Sequence, residues 1–151
     1  MTKSYVQRII GITAAFSLVT ATAFPATLKI KDLPAAVQKT VTEQTKGAEI
    51  KGISKEVEKG VTEYEVETMV KGKSRDVVID SKGVVLDVEE ETELSAIPAP
   101  AKAALEKAAA GGKITKVETV NSRGKTTYEA AIAKGKKKSE LVVDASGAVQ
   151  K

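Results

Sequence analysis

The sequence predicts an α+β protein: two tandem repeats, each one helix packed on a four-stranded antiparallel β-meander, after an N-terminal signal peptide. Three observations predict it. The chain matches itself without a gap at a shift of 64 residues. Within each matching stretch the hydrophobic period changes once, from helical to alternating. Residues 1–26 follow a different order: a positive start, an apolar run, then small residues.

That first segment opens with Lys3 and Arg8, continues through the uncharged Ile9–Val19, and ends in Ala21-Thr22-Ala23 and Phe24-Pro25-Ala26. The apolar run is short for a membrane span, which needs about 20 residues. Cleavage after Ala23 or Ala26 is expected, leaving an exported chain without a membrane span. The expected organisation is a signal peptide over 1–26 and repeats over 27–95 and 96–151.

Matches at proline, glycine and tyrosine carry the repeat. Leu33-Pro34-Ala35 falls on Ile97-Pro98-Ala99, and Gly47 on Gly111. Thr62, Tyr64 and Glu65 fall on Thr126, Tyr128 and Glu129, and Asp80 and Gly83 on Asp144 and Gly147. Each helix should open at its proline, where the missing N–H costs nothing. Leu33, Val37 and Val41 in the first stretch, and Ile97, Ala101, Ala104, Leu105 and Ala108 in the second, recur on one helical face. Asp32 is a candidate cap for the first helix. Gly47 and Gly111 suit the left-handed position that ends helices.

Strands follow. Ile50–Val57 and Ile114–Val120 read as first strands with room for a bulge. Thr62–Thr68 alternates strictly, with Tyr64 and Val66 on one face and Glu63, Glu65 and Glu67 on the other. Thr126–Ile132 repeats this more weakly. Val77–Ile79 and Leu141–Val143 are third strands, and the Asp80–Gly83 and Asp144–Gly147 turns lead to fourth strands at Val84–Val88 and Ala148–Lys151. Two small lobes or one pseudo-symmetric fold accommodate a unit of this length better than an array.

The Leu-Pro-Ala-Ala-Val helix opening (33–37), the Tyr-Glu-Val-Glu strand (64–67) and the Val-Val-Ile-Asp-Ser-Lys-Gly-Val-Val hairpin (77–85) resemble the PepSY-like family, described as similar to the β-lactamase inhibitor protein. The resemblance covers nearly all of the chain after residue 26, once per copy. It implies a secreted or periplasmic, non-catalytic module that acts in binding or inhibition. The broader PepSY group accompanies peptidases.

Composition narrows the chemistry. The 151 residues include no His, Cys or Trp, so imidazole bases, thiolate nucleophiles and Cys- or His-ligated metals are excluded. No phosphate loop, nucleophile elbow or calcium loop is present. Catalytic residues, cofactors and metals are therefore not expected. Nor is nucleic acid, because a chain with few aromatic residues and near-balanced charge lacks stacking platforms. Charge is divided: 27–95 carries 11 basic and 15 acidic residues, and 96–151 carries 11 and 5. Asp87, Glu89, Glu90, Glu91 and Glu93 form an acidic cluster, and Lys134, Lys136, Lys137 and Lys138 a basic one. This split makes self-association a possible outcome.

The expected function is recognition of a protein or cell-envelope component through the sheet face, or, as the alternative, inhibition or regulation of a secreted peptidase. The candidate partner-binding residues are Tyr64, Tyr128, Glu63, Glu65, Glu67 and Glu129.

Overall fold

A computed structural model describes residues 28–58 and 60–150, so the segment read as a signal peptide lies outside the described residues. A 3-10 turn (Ile30–Asp32) leads to helix α1 (Ala35–Gln44) and strands β1 (Glu49–Glu58), β2 (Val61–Val70), β3 (Lys73–Asp80) and β4 (Val85–Glu91). Helix α2 (Ala99–Ala108) then precedes β5 (Lys113–Ser122), β6 (Lys125–Lys134) and β7 (Lys137–Asp144).

The strands form one seven-stranded antiparallel sheet in the order β1-β2-β3-β4-β5-β6-β7. This corrects the expectation of two α+β repeats, each a helix on its own four-stranded meander. The fold is mostly β, with two short helices on a continuous sheet. β4 pairs with β5 from Asp87↔Ser122 to Glu91↔Glu118, so the strands that would have edged two separate lobes satisfy each other. The physical reason is the cost of an open edge, a row of unpaired N–H and C=O groups. Small lobes also bury too little surface to be stable alone. The expected fourth strand of the second half is absent as a ladder: Val149 makes only an isolated bridge to Val143.

Both helices begin at a proline whose carbonyl accepts the first helical bond: Gln38 N–H to Pro34 and Lys102 N–H to Pro98, each at 2.9 Å. Asp32 caps the 3-10 turn and not α1, since its carboxylate accepts the Lys29 N–H at 3.2 Å. Gly47 and Gly111 adopt φ of 76° and 78° just beyond the helices, where a left-handed residue turns the chain into the next strand. β1 and β5 carry register shifts at Ile50/Gly52 and Ile114/Lys116.

The core lies between the helices and one face of the sheet. α1 supplies Leu33 (just before it), Val37 and Val41 to a cluster with Ile53, Tyr64, Val66, Val77 and Ile79. α2 supplies Ala101 and Leu105 to a second cluster with Ile97, Ala109, Val117, Ala130, Ile132 and Val143. Cross-strand partners share a face. The register Val66–Val77–Val88–Asn121 and the neighbouring Glu90–Thr119–Tyr128–Val143 therefore place both clusters on the same side. The opposite side faces no described helix.

Two aspartate turns tie the sheet to the helix starts. Asp80 Oδ1 accepts the N–H groups of Lys82 and Val84, and Asp144 Oδ1 those of Ser146 and Ala148. The glycines that follow, Gly83 and Gly147, press against the carbonyls of Ala36 and Pro100. Thr40 also donates its hydroxyl to the Gly83 carbonyl at 2.7 Å.

Candidate functional site

Alternation that sends Tyr64 and Val66 inward sends Glu63, Glu65 and Glu67 to the opposite face of β2. The register carries that face across the sheet. One row runs Gly52, Glu67, Asp76, Glu89, Val120, Thr127 and Asp144. A second runs Ser54, Glu65, Val78, Asp87 and Ser122, and a third runs Glu91, Glu118, Glu129 and Val142. Carboxylates from β2 through β6 thus share one surface, set apart by strand spacings of about 4.8 Å. Gly52 leaves room beneath the Glu67 carboxylate: a Cβ built there would lie 3.6 Å from Oε2.

Glu118 at 5% exposure and Asp87 and Glu89 at 8% are buried on this face, and carboxylates are buried this far only where they are paired. For Glu118, Lys116 Nζ lies 2.6 Å from its Oε1. Ser74 Oγ reaches the same oxygen at 3.5 Å and Glu91 Oε2 at 3.3 Å. Burial works against the Lys116 charge, but the hydrogen bond that it donates to Glu118 and the surrounding carboxylates outweigh it and hold its pKa above the ordinary lysine value. Burial pushes the Asp76 carboxyl up, against the lowering effects of the Thr68 N–H and Lys116, and Glu89 and Glu67 push the same way as burial. Glu140 on β7 is also raised, first by burial and then by repulsion from Glu118 and Glu89.

Carboxylate oxygens of Asp76, Glu89 and Glu118 lie within 4.8 Å of one another, an arrangement that a hard cation could share. The Lys116 ammonium already places a positive charge on Glu118 there. Of the acidic residues 87–93, Glu89 joins this group. Glu90 lies on the helix side, 3.0 Å from Arg75, and Glu93 pairs with Lys73 at 2.9 Å.

The structure separates the six candidate residues. Glu63, Glu65, Glu67 and Glu129 lie on the open face, half-buried. Tyr64, 6% exposed, packs in the core under α1, and Tyr128 packs half-buried against the cluster under α2. The tyrosines therefore do not share a surface with the glutamates. Sequence reasoning missed Asp76, Asp87, Glu118 and Lys116 as members of this face. The run Val77-Val78-Ile79 hides the alternation of β3, because Val78 is buried on the open side as fully as its neighbours are on the other. The bulge at Ile114/Lys116 shifts the phase of β5 before Glu118.

A meandering antiparallel sheet with helices on one side and the other side uncovered defines a BLIP-like fold. Among solved structures the chain is similar to a protein of Bacteroides eggerthii provisionally assigned to the periplasm, at 17% identity and a TM-score of 0.64, covering 79% of this chain and 86% of that one. It is similar to a DUF2874 family protein of Bacteroides ovatus, at 16% identity and a TM-score of 0.60, covering 79% and 85%. It is also similar to a BLIP-like protein of Bacteroides fragilis, at 18% identity and a TM-score of 0.55, covering 78% and 82%. No family model and no curated protein matches the chain. The BLIP-like part of the sequence resemblance thus holds at the level of fold, while the PepSY name and the two tandem copies receive no support from these neighbours.

Proposed function

We propose that this chain is a non-catalytic periplasmic binding module that recognises a protein or envelope component through the open, acidic face of its sheet. The observation that supports it is the convergence of Glu63, Glu65, Glu67, Asp76, Asp87, Glu89, Glu91, Glu118 and Glu129 on the side that no described helix covers. Carboxylates gathered at strand spacing give this side a negative potential, which favours a partner that sets positive groups against it. The signal-like order of residues 1–26 supports export, as does the periplasmic assignment of a fold neighbour. No described helix is long and apolar enough to cross a membrane. Membership of the PepSY group is part of the same proposal, and favours a second reading as regulator or inhibitor of a secreted peptidase.

The test is capture from a periplasmic extract on immobilised protein, beside a variant carrying Glu63→Gln, Glu65→Gln, Glu67→Gln and Glu129→Gln. A partner held by the wild type, released by salt and lost on the variant is the expected result. Identical capture by both proteins would remove the open face from the mechanism. A peptidase as the retained partner, with its turnover reduced, would establish the second reading.

A further inference from the structure

The β6–β7 hairpin carries the opposite charge. Lys134, Gly135, Lys136, Lys137 and Lys138 form its tip, and all are exposed. Lys134 and Lys137 are direct cross-strand partners, a like-charge pairing that destabilises a hairpin. No ion pair among the described residues engages these four amines. The chain therefore holds two charged arrays of opposite sign. They cannot neutralise each other within one molecule over the β2–β3 part of the face: β7 stands four strands from β3, about 19 Å at the usual spacing, beyond the reach of a lysine side chain.

We infer that the Lys134–Lys138 hairpin of one molecule docks on the β2–β3 carboxylates Glu65, Glu67 and Asp76 of a second copy. The inference rests on the reading of the open face as a binding surface and names a partner for it. Charge complementarity is the warrant. Three carboxylates on two adjacent strands present anionic groups at strand spacing, and the lysines across the hairpin are separated by about the same distance. The two surfaces are different patches of the chain, so the contact is heterologous.

Sedimentation velocity over a concentration series tests it. The purified protein should self-associate at low salt and sediment as a monomer near 1 M salt, where the screening length falls to about 3 Å. A Lys136→Glu, Lys137→Glu, Lys138→Glu variant and a Glu65→Gln, Glu67→Gln, Asp76→Asn variant should each associate about tenfold more weakly or worse. Mixing them should restore a one-to-one pair, because the first keeps its acidic face and the second its lysine hairpin. That restoration also shows that both variants are folded. A wild type that stays monomeric at low salt, or association that survives the lysine reversal, overturns the inference. A fluorescent oligolysine peptide separates this failure from that of the binding face. If a monomeric wild type binds it and the carboxylate variant does not, the face binds cations but not a second copy. If neither binds, the face reading fails as well.

Discussion

At Gly83 and Gly147 the lack of a side chain lets the aspartate turns meet the helix starts. Both have φ of 83°, and a Cβ would meet the Ala36 carbonyl oxygen at 2.7 Å or that of Pro100 at 2.6 Å. Gly124 shares the left-handed backbone, with φ of 81°, but has open space around it. Gly124→Ala should therefore cost only the backbone strain, about 1 kcal/mol. Gly83→Ala and Gly147→Ala should each cost more, about 2–4 kcal/mol, because the turn must also back away from the helix. Urea denaturation of the three variants checks the order; equal losses would remove the contact with the helices as the cause. Asp76 and Glu140 make a second prediction, with a definite sign. Their carboxyls hold protons more readily folded than unfolded, so their charged forms weaken the fold at neutral pH. Stability then rises as pH falls from above their folded pKa values into the ordinary carboxylate range. Asp76→Asn and Glu140→Gln should raise the urea midpoint at pH 7, and the gain should vanish below about pH 4, where the wild-type carboxyls are protonated too. A gain independent of pH would show that charge is not its source. Lys116 has the reverse dependence: its contribution is present below the ordinary lysine pKa and is lost as pH rises through its raised folded value.

At the scale of elements, the helices depend on the sheet for their stability. Ten residues are too few for a helix to persist alone in water. Val37 and Val41 on α1, and Ala101 and Leu105 on α2, stand one turn apart and are fully buried. Leu105 is the largest of these, and Leu105→Ala should cost about 2–4 kcal/mol through lost burial and the cavity left under α2. The end of α1 has an additional tether. Arg75 on β3 donates from Nη1 to the Gln44 carbonyl at 3.0 Å, from Nη2 to the Gln44 side chain at 3.2 Å, and from Nε to Glu90 at 3.0 Å. The guanidinium fork thus fills an otherwise unmatched carbonyl at the helix C-terminus. Lysine keeps the charge but not the fork, so Arg75→Lys should cost about 1 kcal/mol. It should also speed amide exchange in the last turn of α1 while leaving α2 unchanged, since Ser139 stands 64 residues on. Uniform acceleration across both helices would argue against a local clamp.

For the whole molecule, the β4–β5 ladder decides how the chain unfolds. Two hydrophobic clusters sit under two helices, and five residue pairs join the halves of the sheet. Neither cluster is large, and breaking the ladder would expose two strand edges at once. The halves should therefore unfold together. Tyr64 and Tyr128 report on the two clusters separately, so Tyr64→Phe and Tyr128→Phe variants leave one cluster reporter in each, beside the Tyr5 that both keep. Near-ultraviolet denaturation curves of the two, each aligned to its own far-ultraviolet transition, should coincide within each variant. A tyrosine signal that changes well before the far-ultraviolet signal would mean that the halves are independent. The division of charge has a counterpart at this scale: its acidic part spreads over β2 to β6 on one face, and its basic part is concentrated at a hairpin tip.

Much of the local structure was legible in the sequence. The proline starts, the glycine exits, the aspartate turns and the alternation of Thr62–Thr68 follow from backbone geometry and side-chain periodicity, which act over a few residues. The sequence by itself therefore determined the helices, most of the strands, and the fact that Tyr64 and Glu65 point to opposite sides. It could not determine that β4 pairs with β5, because that pairing joins residues across an intervening helix and leaves no local trace. Nor could it place Asp76, Asp87, Glu89 and Glu118 together. Alternation specifies a face only relative to its own strand, and hydrogen-bond register between strands converts those separate faces into one surface. Tertiary structure alone made a single sheet from two similar halves, and put the carboxylates on the side the helices leave open.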